Sequence, residues 1–259
     1  MASGAHSLKA EREKRIDDAE RKLRIDLAAA YRLIALYGMD DTIYTHLSVR
    51  VPGPEHHFLI NPYGMMFDEV TASSLVKIDL DGKMVEPSNW QVNEAGFVIH
   101  SAVHAAREDA KCVMHTHTVA GMAVAATEEG LLPLSQHAME FYGGRVAYHD
   151  YEGIALDLDE RERLVADLGD SKVMILRNHG LLTVGQSVAE AFQYMYYLEQ
   201  SCRVQVAAAS MSGRLRHVPP DVAEHTAGQF VRPGQPPKGM RLWPALLRKL
   251  DRIDPSYRD

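Results

Sequence analysis

The pattern of apolar residues predicts an α/β fold: one domain over residues 16–212, followed by an extended arm over 213–259. Three observations carry this. Stretches with apolar residues at three- and four-residue steps alternate with apolar runs too short for helices. Glycine, proline and Asp-Gly steps punctuate the joins between them. After Gly213 the composition shifts, and Pro219, Pro220, Pro233, Pro236 and Pro237 argue against long regular elements before Trp243.

Residues 1–15 are dense in charge and nearly free of large apolar side chains, as in a solvated tail. From Ile16 a helix is predicted, with Leu23, Leu27, Ala30 and Ile34 on one face and Gly38 at its C-terminal end. Strands are predicted over 43–51 and 58–61, separated by Pro52, Gly53 and Pro54. A third follows over 74–80, and Asp81-Gly82 then opens a hairpin into 83–85. A helix opens near Glu94, carries Phe97, His100, Val103 and His104, and ends at 107–109. The strand 111–114 leads into His115-Thr116-His117, and a small-residue helix spans 119–126. Pro133 and Gly143-Gly144 break the middle before a strand at 146–148. A helix at 158–168 stops at Gly169, a buried strand spans 172–176, and Arg177-Asn178-His179-Gly180 turns tightly into 181–184. Ser187 and Glu190 form a capping box for a helix over 187–211, lined by Ala191, Met195, Leu198 and Cys202. Pro244 suits the first turn of a short amphipathic helix reaching Leu250. The arm cannot bury Leu242 or Trp243 alone, so it docks on its own domain or on a neighbouring subunit.

Composition excludes several classes. The 259 residues carry 28 basic and 35 acidic side chains, a formal net charge of −7, with no Lys/Arg stripe, so nucleic acid is not an expected partner. A 46% apolar share fits a full core rather than a disordered chain. No run approaches the ~18 apolar residues of a membrane span, and the first residues lack the apolar stretch of a secretory signal, so a cytoplasmic protein is expected. Cys112 and Cys202 read as buried thiols rather than a disulfide framework.

The unusual feature is 13 histidines. In extended backbone, residues two apart share a face, so His115 and His117 bring two imidazoles together after a strand. His179, in an Asn-His-Gly turn where glycine permits a sharp bend, is the natural third. Three imidazoles suit Zn²⁺, Fe²⁺, Mn²⁺ or Co²⁺ and leave positions open for substrate or water. The plain alternative is a set of polar caps on strand ends. His100 and His104, four apart on a helix, could face a metal or, beside Glu108, a solvated surface. His56 and His57 sit in a loop and read as solvent-facing.

The strings GFVIHSAVHAAREDAKCVMHTHTVAGMAVAA, GLLPLS, AYHDYEG, VMILRNHGLLTVG and EAFQYMYYLEQSCRVQV follow one another in order. Together, over about residues 22–212, they resemble the class II aldolase/adducin family, its adducin-like branch in particular. The resemblance implies a three-layer α/β/α domain with a central, mostly antiparallel sheet. It implies a divalent metal on His115, His117 and His179, Zn²⁺ first, and a homotetramer with its cleft at the subunit boundary. Family aldolases use the metal as a Lewis acid to stabilise an enediolate as a C–C bond breaks, with a glutamate as base and a tyrosine as acid.

This chain departs from that pattern. Gly96 stands at the glutamate position, Glu94 and Ala95 replace a phosphate-holding serine pair, and Thr45-His46-Leu47-Ser48 replaces a Gly-Asn-x-Ser phosphate turn. Neutral phosphate donors are missing and Glu94 would repel a dianion, so an unphosphorylated substrate is expected, held by His46, Ser48, Asn61 and Gly64. His137, near the tyrosine position, is the first candidate base, followed by Glu94, Glu140 and Tyr142. Their plain readings are a helix N-terminus for Glu94, a solvated loop for His137 and Glu140, and core for Tyr142. The expected activity is a metal-dependent carbon–carbon lyase, an aldolase or decarboxylase working through a metal-stabilised enolate on a small hydroxy-carbonyl or carboxylic acid. Decarboxylation needs no glutamate base, since loss of CO₂ itself generates the carbanion. The resemblance leaves two alternatives: a non-catalytic adducin-like interaction module, and a non-haem iron oxygenase.

Overall fold

The structure, a computed structural model, describes residues 18–53, 56–153, 159–231 and 234–259. The predicted tail 1–15, the start of the first helix, Pro54, residue 158 and Pro233 lie outside the described residues. The first helix, α1 (Asp18–Leu36), buries Leu27, Ala30, Tyr31 and Ile34. It ends where Gly38 takes φ 61°, which lets the Gly38 and Met39 N–H groups reach back to the Ala35 and Ile34 carbonyls.

Among the described residues seven strands follow: β1 (His46–Arg50), β2 (Phe58–Ile60), β3 (Val76–Ile78), β4 (Cys112–Thr116), β5 (Val146–His149), β6 (Val173–Leu176) and β7 (Gly180–Gly185). They form one sheet in the order β3-β2-β1-β4-β7-β6-β5, antiparallel throughout except where β5 meets β6. Among them run α2 (Glu94–Ala106), α3 (Val119–Ala125), α4 (Gln136–Met139) and α5 (Glu160–Leu168), and after them α6 (Val188–Ala209), α7 (Pro220–Gln229) and α8 (Trp243–Ile253).

The two-residue period of the strands sorts side chains into two cores. Cys112, Met114, Val173 and Ile175 join the face covered by α1, α6 and α8. Val113, Met174, Leu176 and Leu182 join the face covered by Ile99 and Val103 of α2 and Leu164 and Leu168 of α5. The result is a three-layer α/β/α sandwich about a mostly antiparallel sheet.

Several elements differ from their sequence patterns for local reasons. β1 begins only at His46 because Thr42 and Thr45 take φ 54° and 65°, left-handed values that turn the chain first. The hairpin after β3 closes on Asp79, whose carboxylate takes the N–H groups of Asp81 and Lys83, and leaves a single bridge from Ile78 to Met84. β4 continues through Thr116, so His115 lies inside the strand rather than after it. The one-turn α4 is started by the Ser135 hydroxyl accepting from Ala138 N–H. Pro219 and Pro220, expected to oppose long regular elements, occupy the N-cap and first turn of the ten-residue α7, where no intrahelical N–H is needed. At α6 the Ser187 hydroxyl accepts from Glu190 N–H, while the Glu190 carboxylate accepts from Gln186, one residue earlier than a capping box requires.

Parts of the arm beyond Gly213 pack on their own chain. Trp243 Nε1 donates to Asp26 of α1 at 2.8 Å, and Leu246, Leu250 and Tyr257 join the α1 core. Gly239 has no room for a side chain, since a Cβ would stand 2.3 Å from the Ala189 carbonyl oxygen. None of the described helices is long and apolar enough to cross a membrane.

Candidate metal centre

β4 pairs with β1 on one side and β7 on the other, placing His115 opposite both His46 and Leu182. His117 follows two residues on, and His179 arrives from the β6–β7 turn. The left-handed residue of that turn is Asn178, φ 55°, rather than glycine. Gly180 serves a different purpose. A Cβ there would stand 2.4 Å from the Thr116 carbonyl oxygen and against the rings of His117 and His115. The missing side chain is what lets β7 approach the histidines.

The three imidazoles converge, with centroids 4.6, 4.7 and 4.8 Å apart and one nitrogen from each within 4.8 Å of the others. Neighbours settle which nitrogen each of two rings presents. His115 Nδ1 lies 2.9 Å from the Leu181 carbonyl oxygen and His117 Nδ1 lies 3.0 Å from Asp41 Oδ2. Both partners only accept, so both Nδ1 atoms carry the proton and both Nε2 atoms present lone pairs. Those two Nε2 atoms stand 2.8 Å apart. Two lone pairs at that separation repel unless a cation lies between them. Ligand nitrogens about 2.1 Å from one ion stand about 3.4 Å apart in a tetrahedral site and about 3 Å apart at a right angle, so rings that part by a few tenths of an ångström fit a divalent cation. Burial and the neighbouring rings hold His115 well below the usual imidazole pKa, and burial with His117 and His149 brings His179 down to about 4. Neutral rings are what such a cation needs.

A second set of imidazoles adjoins the first. His104 Nδ1 donates to the Ala110 carbonyl oxygen at 2.8 Å, so its Nε2 accepts the Ser48 hydroxyl proton, also at 2.8 Å. Ser48 Oγ must then accept from His100 Nδ1, 2.6 Å away. That leaves His100 Nε2 a buried acceptor without a partner among the described residues, and its ring meets that of His46, whose Nδ1 is buried and likewise unpartnered among them, at 5.9 Å. Burial, with His117 next, lowers His46 to about 4. His100 and His104 are therefore interior groups, not a solvated helix face.

The other candidates are more scattered. Asn61 is buried, with its N–H on the Tyr31 hydroxyl at 3.2 Å and its Oδ1 3.0 Å from the same oxygen. Gly64 lies in an exposed turn at φ 95°. His137 is exposed and packs its ring on Tyr197 of α6, 4.7 Å between centroids. Glu140 is not a solvated loop residue; it is buried in an ion pair with Lys238. Tyr142 is half-buried. Among the described residues none of these last three makes a hydrogen bond or ring contact with the triad. Glu94, Ala95 and Gly96 begin α2, but their side chains lie outside the described residues. His56 is not simply solvent-facing, since its Nδ1 lies 2.8 Å from Arg50 Nη1. Two neighbours escaped sequence reasoning. Asp41, which orients His117, has no spacing signal, because it lies in the connection between α1 and β1, 76 residues before His117 in sequence. Tyr151, its ring 6.5 Å from that of His179, stands within the AYHDYEG string.

Residues 25–206 match the family described as Class II Aldolase and Adducin N-terminal domain. The crystal structure of an aldolase II superfamily protein from Pseudomonas syringae is 54% identical and superposes with a TM-score of 0.91, covering 96% of this chain and 100% of that one. An L-fuculose 1-phosphate aldolase from Glaciozyma antarctica PI12 is 31% identical with a TM-score of 0.81, covering 93% of each chain. Alpha-adducin of Rattus norvegicus is 45% identical over 251 residues, which is 92% of this chain and 34% of the adducin. By this match in sequence and in fold, the chain belongs to the class II aldolase and adducin N-terminal domain family.

Proposed function

We propose that this protein is a divalent-cation-dependent carbon–carbon lyase acting on a small, unphosphorylated hydroxy-carbonyl compound or carboxylic acid, by aldol cleavage or decarboxylation. The observation that carries the reading is the facing pair of Nε2 lone pairs on His115 and His117, each fixed by a partner on Nδ1. His115, His117 and His179 hold the ion, with Zn²⁺ the first candidate. When bound, such an ion supplies Lewis-acid stabilisation of the negative charge that develops on a substrate oxygen. Asp41 and the Leu181 carbonyl oxygen keep the rings aimed. His46 lines the adjoining space as a neutral imidazole. Ser48 has spent its one proton on His104, so it has no donor left for a phosphate, which supports an unphosphorylated substrate. His137, exposed on each chain, handles the substrate proton across the boundary of a homotetramer, with Glu94 and Tyr142 as alternatives. The protein is cytoplasmic in this reading, and residues 16–212 form the catalytic unit.

Metal analysis of protein purified without chelators tests the proposal. About one equivalent of metal per chain is expected, lost in the His115→Ala/His117→Ala variant, with cleavage of a hydroxy acid or 2-oxo acid by the loaded protein. Failure to retain or take up Zn²⁺, Mn²⁺, Fe²⁺ or Co²⁺ would refute it. A second reading, an interaction module, draws on alpha-adducin being more similar in sequence than the fuculose-phosphate aldolase. That reading predicts no loss of function on removal of the two histidines.

A further inference from the structure

At the end of β6 opposite His179, a cavity of about 330 Å³ opens among the start of that strand, the segment after α4 and the C-terminal arm. Phe141, Tyr194 and Phe230 give it aromatic walls. Its charges are largely committed. Glu140, 7% exposed, is paired with Lys238, whose ammonium lies 5.6 Å from the Tyr194 ring and 5.2 Å from the Phe230 ring. Lys172 is paired with Asp109. Asp170 is exposed. Arg145 is different: its guanidinium makes one hydrogen bond, 3.3 Å from Nη1 to the Tyr142 carbonyl oxygen, and has no carboxylate partner among the described residues.

These features select a ligand. An entering cation would find the buried carboxylate of Glu140 already neutralised by Lys238, leaving it only the exposed, water-screened Asp170 while it faces the Arg145 guanidinium. A phosphate dianion would find one uncommitted guanidinium and hydrocarbon walls, too little to offset its desolvation. A flat apolar ring bearing one carboxylate satisfies both halves, since rings pack on aromatic walls and a guanidinium meets a carboxylate through two parallel hydrogen bonds. A cavity of about 150 Å³ accepts benzene, so this one has room for a bicyclic ring with a short side chain. We propose that this cavity is a binding site for a small aromatic carboxylate, its ring against Phe141, Tyr194 and Phe230 and its carboxylate on Arg145.

Calorimetric titration of the full chain with indole-3-acetate, indole and tryptamine tests this. Indole-3-acetate is expected to bind at least about tenfold more tightly than either comparison compound, and Arg145→Ala to weaken it by about 10–100-fold. The His115→Ala/His117→Ala variant should bind it as the wild type does, which separates this cavity from the histidine cluster. On the wild-type protein, methyl resonances of Val173 and Val231 at the cavity wall should shift on titration, whether or not Arg145→Ala folds. The proposal is overturned by no binding up to about 10 mM, by equal affinity for tryptamine, or by undiminished binding to Arg145→Ala. Loss of binding in the double histidine variant, or methyl shifts that miss Val173 and Val231, would overturn it equally.

Discussion

Gly180→Ala is the sharpest probe of how the histidines are held. The added Cβ would sit 2.4 Å from the Thr116 carbonyl oxygen, 3.2 Å from His117 Cδ2 and 3.3 Å from His115 Cε1. The nearest of these is backbone of the paired strand, which has no alternative rotamer. β7 and β4 must therefore part by about 0.6 Å merely to reach 3.0 Å, below which real Cβ contacts essentially never fall. Overpacking of this kind costs about 1–3 kcal/mol. At roughly 2–4 °C per kcal/mol for a chain of this size, a loss of about 2 kcal/mol lowers the unfolding midpoint by about 4–8 °C. Displaced rings should also weaken Zn²⁺ binding by about 10–100-fold, as happens when support around metal ligands is removed. The assay is Zn²⁺ competition against a chromogenic chelator, beside thermal unfolding in the presence of a chelator. Asn178→Gly is the control: it keeps the φ 55° turn accessible and should leave Zn²⁺ affinity intact. Wild-type affinity and midpoint in Gly180→Ala would show that close approach of β7 does not set the ring positions.

Asp41→Ala should lower Zn²⁺ affinity by about tenfold while moving the midpoint little, because its side chain is 41% exposed and acts through His117. Burial lowers His104 to about 3 and holds His100 well below its ordinary value. Both stay neutral in the fold while the unfolded chain takes up protons below about pH 6.5. Stability should therefore be complete above that pH and fall between pH 6.5 and 3, at up to about 1.4 kcal/mol per pH unit for each ring. Urea unfolding at pH 7.5, 6 and 5 reads the slope, which His104→Gln should flatten. Trp243→Phe removes the donor to Asp26, whose pKa burial already raises, and should cost about 1–3 kcal/mol by chemical denaturation.

Long periodic elements are legible in the sequence because their cores repeat. α1 and α6 show their buried faces as three- and four-residue spacings, and β6 shows its buried position as an unbroken apolar run. Convergence of the three histidines is legible for a similar reason: extended backbone puts positions 115 and 117 on one face, and a second buried strand ends beside them. What the sequence hides is set by single atoms or by tertiary pairing. One hydroxyl, that of Ser135, decides α4. Thr42 and Thr45 delay β1 with backbone angles that threonine seldom signals. In the Asn-His-Gly turn the roles are exchanged, with Asn178 taking the left-handed angle and Gly180 providing clearance. His100 and His104 show helical spacing whether they face solvent or Ser48, so only the structure distinguishes these.

The bond from Trp243 to Asp26 spans 217 residues of sequence. During synthesis at about 5–20 residues per second, α1 leaves the ribosome roughly 10 to 40 s before the arm that covers it. Through that interval part of its apolar face has no native cover. Closing so long a loop is slow, and the nascent chain is open to chaperones and to wrong pairings with other copies until it happens. Yield of folded protein in the cell should therefore depend on how that helix is sheltered while the rest of the polypeptide is made.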